Sequence, residues 1–359
     1  MQNNINIIAP INQLGYGVAS LNIVKSLSSM ANVALFPIGS PSDIKDEDVP
    51  FIKKALENAQ LPDFNAPCIR VWHQHDMSQF VGKGQQIAFP FFELTKFSER
   101  EKHHLNNVDK IFVASQWAKN ICLSELSQSE DNIIVMPLGV DTDIFKPASN
   151  VNQDKKTIFF NCGKWEKRKG HDILPIIFDE AFDADDNVEL WMMNHNPFLE
   201  ARASEKWKNL YIDSKNGHKV RFIDRAKTQE EVYNIMAKVD CGIFPSRAEG
   251  WNLELLEVMS CGKPVIATNY SAHTEFCNDE NAHLIQIDNL EPADDGIWFN
   301  GSMGDWAKIE HKQISEFAKY MKHIYDLKQN NQLQINTAGI NTSKKFSWDS
   351  LAQRITSNV

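Results

Sequence analysis

No apolar run in this chain approaches the roughly 20 residues that a helix needs to span a bilayer. The opening MQNNINIIAP also lacks the charged region and long apolar stretch of a secretory leader, so a cytoplasmic protein is expected. Cysteine is scarce: the six residues Cys68, Cys122, Cys162, Cys241, Cys261 and Cys277 are scattered, with no C-x-x-C pair and no histidine at zinc-finger spacing. Buried free thiols are the expectation. Positive charge is in deficit as well, with 37 Lys and Arg against 47 Asp and Glu and a formal net charge of −10. Without a polybasic segment, this balance disfavours non-specific attraction to nucleic acid or anionic lipid. Nothing in the sequence signals an oligomeric state.

At 359 residues the chain exceeds one ordinary core and predicts two domains, at about 100–200 residues each. Strand-length apolar runs alternate with helical patterns. INIIA (5–9) precedes a glycine-containing loop and the amphipathic ASLNIVKSLSSM, after which CIRVW, QIAFPF, KIFVAS and NIIVMPLG recur between helical or polar spacers. That alternation predicts an α/β fold with parallel, doubly wound sheets. Residues 145–157, FKPASNVNQDKKT, turn polar and read as a linker. Beyond them the pattern restarts, with TIFFNCG, NVELWMM, KVRFI, DCGIFP and PVIAT as strands and HDILPIIFDEAF as a helix. Two Rossmann-like domains are expected, 1–148 and 152–335, and the tail 346–359 reads as one more amphipathic helix.

The chemistry concentrates in SRAEGWNLELLEVMSCGKPVIA (246–267). Glu249 falls in the loop at the carboxyl end of a strand and Glu257 on the helix that follows, beside the crevice where α/β sheets bind ligands. A helix N-terminus at such a place seats phosphate. Carboxylates flanking a bound anion find their partners in vicinal hydroxyls, so the arrangement suggests a phosphate between two sugars. A second segment, GKWEKRKG (163–170), is a basic loop bracketed by glycines. Lys164 and Lys169 in it can stabilise negative charge growing on a phosphate, an effect that speeds a reaction where it is larger in the transition state than in the ground state. Lys167 and Arg168 are expected to point to solvent.

EGWNLELLE resembles the E-x7-E motif of retaining GT-B glycosyltransferases of the family 4 type, the glycosyl transferases group 1. VMSCGKPVIAT is similar to the segment that follows the motif there, PLGVDTDIFKP (137–147) to the family's linker signature, and GKWEKRKG to its donor-phosphate loop. Lys164 stands where arginine is usual, and Trp251-Asn252 where Phe-Gly is common. The resemblance implies a GT-B fold, two Rossmann-like domains facing a cleft, with an acceptor domain (1–148), a donor domain (152–335) and the last helix (346–359) packing back on the first. It implies retaining transfer of a sugar from a nucleoside-diphosphate-sugar to an acceptor hydroxyl, with no metal and no cofactor beyond that co-substrate. Glu257 would hold the ribose hydroxyls and Glu249 those of the donor sugar, with Gly250, Trp251, Asn252 and Leu253 around the donor and Lys169, assisted by Lys164, on the β-phosphate. Glycan, lipid-linked, small-molecule and modified nucleic acid acceptors all remain open. The alternative reading is a GT-B protein that binds a nucleotide-sugar without transferring it, or an epimerase.

Other residues fit the same frame. Gly15 and Gly17 would let a phosphate or an acceptor approach the backbone. His73 and His75 follow a strand and lie two apart; the resemblance places a histidine of the first domain near the donor sugar, with His75 preferred over His73. FPFFELTKF (89–97) faces either the core or the acceptor. DAD (183–185) and DTD (141–143) mimic a metal-binding D-x-D but fall in a helix-to-strand loop and in the linker, so no metal ligands are assigned.

Overall fold

A computed structural model describes residues 3–148 and 155–359. Residues 149–154 of the expected linker, and with them the expected domain division, lie outside the described residues. The chain divides into two compact units, Met1–Gly139 together with Phe346–Val359, and Val140–Lys345. Residues 140–148 therefore go with the second unit, where Phe145 is buried and its carbonyl accepts a hydrogen bond from the Ser260 hydroxyl.

The first unit is built on β1 (Asn4–Ala9), β2 (Asn32–Pro37), β3 (Cys68–Arg70), β4 (Gln86–Ala88), β5 (Lys110–Val113) and β6 (Ile133–Val135). They form one parallel sheet in the order β2-β1-β3-β4-β5-β6. The second unit repeats the plan with β7 (Thr157–Gly163), β8 (Val188–Asn194), β9 (Val220–Phe222), β10 (Cys241–Phe244), β11 (Val265–Asn269) and β12 (His283–Gln286). Its order is β12-β11-β10-β7-β8-β9, again parallel. The doubly wound α/β reading holds for both units. An antiparallel hairpin, β13 (Leu290–Asp294) and β14 (Asn300–Ala307), follows β12.

Apolar strands buried on both faces make the cores. In the second unit Phe159, Leu190, Ile243 and Ile266 meet Leu174, Ile177 and Phe178 of the helix Leu174–Ala181 and Phe317, Met321 and Ile324 of the helix His311–Gln329. All six cysteines are buried and free. Among the described residues no helix is long and apolar enough to cross a membrane.

Gly15 and Gly17 depart from expectation, since they form the first turn of the helix Gly15–Leu27 and not a loop ahead of it. The cause lies at Asn12, whose side-chain oxygen accepts the Leu14 N–H at 2.9 Å and turns the chain straight from β1 into the helix. A Cβ at Gly17 would come within 2.3 Å of that oxygen.

The tail helix Trp348–Thr356 packs on the helix Gly15–Leu27 and buries Trp348, Leu351, Ala352 and Ile355. Its approach is tight, because a Cβ at Gly139 would come within 2.3 Å of the Trp348 nitrogen. Leu351→Ala should cost about 2–5 kcal/mol, the usual range for a buried leucine. Denaturant unfolding followed by proteolysis should show that loss in fragments of the first unit; an unchanged midpoint would refute the packing.

Candidate active site

Two loops, leaving the carboxyl ends of β7 and β10, carry the candidate residues. They touch at Gly170, where φ is +76° and a Cβ would come within 2.1 Å of the Pro245 carbonyl oxygen, so the contact requires glycine. Arg247 ties them further. Its N–H donates to the Arg168 carbonyl at 2.6 Å, and its guanidinium donates to the Lys167 carbonyl and to both oxygens of Asp172 at 2.7 and 2.9 Å.

Glu249 lies at the centre of this joint. One carboxylate oxygen accepts from Lys169 Nζ at 2.9 Å and from the Ser246 hydroxyl at 2.9 Å, and the other accepts from Arg168 Nη1 at 2.8 Å. Its N–H donates to Ser271 Oγ at 2.8 Å. Burial by itself would raise the Glu249 pKa; the Lys169 and Arg168 charges outweigh burial and hold it well below the usual carboxylate range. Burial would likewise lower the Lys169 pKa, and Glu249 reverses the sign and holds it above the ordinary lysine value. The pair is therefore ionised throughout the neutral range.

Arg168 corrects an expectation, because it is buried and does not point to solvent. Its guanidinium spans Glu249, the Ala248 carbonyl at 2.7 Å and Glu166 Oε2 at 2.6 Å. Two buried carboxylates need more cation than Lys169 supplies, and a planar fork can serve both where an ammonium cannot. Lys164 is half-exposed and pairs with Glu166 Oε1 at 2.8 Å. Lys164, Arg168 and Lys169 thus share Glu166 and Glu249, three cations to two carboxylates. Beneath them His171 accepts the Glu166 N–H at 3.1 Å on Nδ1 and contacts Asn161 Oδ1 at 3.0 Å through Nε2. Burial, with Lys169 nearby, pushes its pKa down to about 3 and keeps it neutral.

Asn252 explains the departure from Phe-Gly. Its φ of +85° is in the left-handed region where glycine is favoured and asparagine tolerated. Glycine could not also cap the helix Leu253–Ser260, which Asn252 does by accepting the Leu255 N–H at 3.2 Å while its amide contacts His273 Nε2 at 2.9 Å. Trp251 is buried against Phe276, their ring centroids 4.9 Å apart. Gly250 is buried, and Leu253 begins the helix. Glu257 lies on the buried side of that helix, and no hydrogen-bond donor among the described residues reaches its carboxylate. Burial, with Glu254 nearby, pushes its pKa from 4.5 up to about 8.

The remaining candidates gather in the first unit. Beyond β3 the His73 and His75 rings stack at 5.4 Å, and the Tyr16 ring, between Gly15 and Gly17, lies 4.6 Å from His73. The Tyr16 hydroxyl donates to the Phe91 carbonyl at 2.7 Å, while Phe89 and Phe92 are core residues. Among the described residues no group of three His, Cys, Asp or Glu is placed to hold a metal. The sequence reading missed Arg168, Glu166 and His171; the signal for Arg168 was the pair of acidic residues, Glu166 and Glu249, that had to be neutralised beside it.

The family model "Glycosyl transferases group 1" matches residues 155–295. An uncharacterized glycosyltransferase of Methanocaldococcus jannaschii is 28% identical over 251 residues, covering 69% of this chain and 58% of that protein. A D-inositol 3-phosphate glycosyltransferase of Corynebacterium aurimucosum is 22% identical over 267 residues, covering 71% and 57%. The matches thus span under two thirds of either relative's length. Solved structures agree over nearly the whole chain: sucrose-phosphate synthase from Thermosynechococcus elongatus superposes with a TM-score of 0.72 at 15% identity, covering 99% of this chain and 98% of that one. Anabaena HepE in complex with UDP-glucose gives 0.70 at 15% identity with the same coverage. The fold is GT-B.

Two predictions test this geometry. Arg168→Met leaves Glu166 and Glu249 short of a buried partner and should cost about 3–5 kcal/mol, the range for removing one member of a buried ion pair; a loss under 1 kcal/mol by denaturant titration would contradict the network. For Glu257 the folded state keeps its proton up to pH about 8 while an unfolded glutamate loses it near 4.5, so folding loses stability as pH rises through that window. Glu257→Gln removes this loss. Its melting temperature should exceed that of the parent at pH 9, by about 2–4 °C per kcal/mol regained, and converge with it near pH 5; parallel pH profiles would contradict the shift.

Proposed function

We propose that this chain is a retaining glycosyltransferase that moves a sugar from a nucleoside-diphosphate-sugar to an acceptor hydroxyl without a divalent metal. The observation that carries the reading is the buried Lys169–Glu249–Arg168 cluster where the β7 and β10 loops meet, ahead of the helix that bears Glu257. An arriving diphosphate competes with Glu249 for Lys169. The freed carboxylate oxygen then accepts a hydroxyl of the donor sugar, while Arg168 keeps Glu249 charged and in place. Lys169, with Lys164 beside Glu166, stabilises the leaving β-phosphate as the glycosidic bond breaks. That phosphate takes the proton of the acceptor hydroxyl on the same face of an oxocarbenium-like sugar, so configuration is retained with no protein nucleophile. Glu257 accepts the ribose hydroxyls. On this reading the first unit binds the acceptor, and its stacked His73 and His75 are its candidate sugar contacts. The group 1 match over 155–295 and the likeness to HepE, whose solved complex contains UDP-glucose, support a nucleotide-sugar donor.

Three measurements test the roles. With a hydrolysable nucleotide-sugar, Lys169→Ala should lower kcat about 10²–10³-fold, as loss of one preorganised donor does elsewhere, and turnover should survive EDTA. Abolition by chelation with rescue by Mg²⁺ would overturn metal independence. An ionised Glu257 accepts ribose hydroxyls better than a protonated one, so nucleotide binding near pH 7 should release about one proton. Calorimetry in buffers of differing ionisation enthalpy should detect that release in the parent and not in Glu257→Gln; no release in either would remove Glu257 from the ribose.

A further inference from the structure

The hairpin β13–β14 ends in an exposed apolar tip braced by hydrogen bonds from its backbone to its own aspartate side chains. Asp295 Oδ1 accepts the N–H groups of Ile297, Trp298 and Phe299 at 2.9, 2.8 and 2.9 Å, and Asp294 Oδ1 accepts that of Gly296 at 2.9 Å. Phe299 packs edge-on to the fully buried Trp306 at 5.0 Å and anchors the turn. Ile297 and Trp298 are thereby presented to solvent, 59% and 57% exposed. Across from them Phe198, in the loop after β8 and 59% exposed, meets Trp298 edge-to-face at 6.3 Å. A preorganised, solvent-facing aromatic pair on a hydrogen-bonded loop has the form of a binding element.

Its place in the fold indicates what it binds. Lys164 Nζ sits 5.7 Å from the Phe198 ring and pairs with Glu166, which joins Arg168 and so Glu249. Lys167 Nζ donates to the Asp294 carbonyl at 2.8 Å, and Arg247 Nε donates to Glu291 at 3.0 Å, fastening the hairpin to both site loops. The tip is thus continuous with the end of the site assigned to the β-phosphate and donor sugar. Aromatic faces flanked by carboxylates and an ammonium suit a pyranose, whose C–H face stacks while its hydroxyls find polar partners. Asp294 and Asp295 disfavour an anionic lipid surface.

We propose that Trp298 and Phe198 form a sugar-binding platform on the donor-side unit that takes a sugar ring of the acceptor. The assignment rests on the glycosyl-transfer reading above, and it adds an acceptor contact outside the first unit.

The test labels the full chain with 5-fluorotryptophan and follows the ¹⁹F resonance that Trp298→Phe removes. Octyl β-glucoside, octyl α-mannoside and octyl N-acetyl-β-glucosaminide, below their micellar concentrations, serve as probes. At least one should shift that resonance saturably, and Phe198→Ala should weaken the saturation about tenfold, the loss expected for an aromatic contact near 1.4 kcal/mol. With the glycoside that binds as acceptor, Trp298→Ala should raise its KM by a similar factor and move the nucleotide-sugar KM less than twofold. No shift with any probe, an unchanged acceptor KM, or weakened binding of UDP or GDP in Trp298→Ala would overturn the platform. So would co-sedimentation of the parent, and not of Trp298→Ala, with phosphatidylcholine–phosphatidylglycerol vesicles. If the resonance shifts while no nucleotide-sugar is turned over, sugar binding stands and the transfer reading falls. If transfer proceeds and the resonance is inert, the reverse holds.

Discussion

Glu249 is a buried carboxylate that must be neutralised, and most of the candidate site is arranged around that requirement. One cation would suffice to keep it charged; two, Lys169 and Arg168, hold its two oxygens separately. That division allows one partner to be exchanged while the other stays. In the proposed reaction Lys169 turns to a phosphate without leaving an isolated charge in a dry joint, because Arg168 remains. Glu166 plays the matching part for Arg168, and neutral His171 fixes the Glu166 backbone from below.

This exchange needs two loops held in contact, and backbone geometry supplies the contact. Gly170 lets the β7 loop lie on Pro245, and Arg247 fixes both loops through the Lys167 carbonyl and Asp172. Asn252 then aims the helix Leu253–Ser260, combining a left-handed backbone with a side-chain cap. Glu257 depends on that aim: one helical face is buried, its carboxylate meets no donor among the described residues, and burial, with Glu254 nearby, raises its pKa to about 8.

The parallel sheets were legible in the sequence because strands buried on both faces read as unbroken apolar runs, as in TIFFNCG and DCGIFP. NVALFP went unread as β2, since it follows its helix after a very short turn and begins with an exposed asparagine. HLIQ is too short and too mixed to stand out, and the strands of the hairpin after it, LEPAD and NGSMGDWA, carry too much Asp, Glu, Asn and Gly to read as strands. Within the site, Glu249, Glu257 and Lys169 were legible because each occupies a spacing with a chemical reason. Arg168 was not, because one of the carboxylates it serves, Glu249, lies 81 positions away in sequence. A basic residue next to another basic residue looks solvated until the carboxylates facing it are known.

The exchange of Lys169 from Glu249 to a diphosphate is the central claim. Calorimetric titration of a nucleoside diphosphate and of the matching monophosphate, into the parent and into Lys169→Ala, tests it most directly. The account predicts that the parent prefers the diphosphate by about tenfold or more, the equivalent of one charge-assisted contact, and that Lys169→Ala loses the preference. Equal binding of the two nucleotides by the parent, or a preference that survives Lys169→Ala, would contradict it.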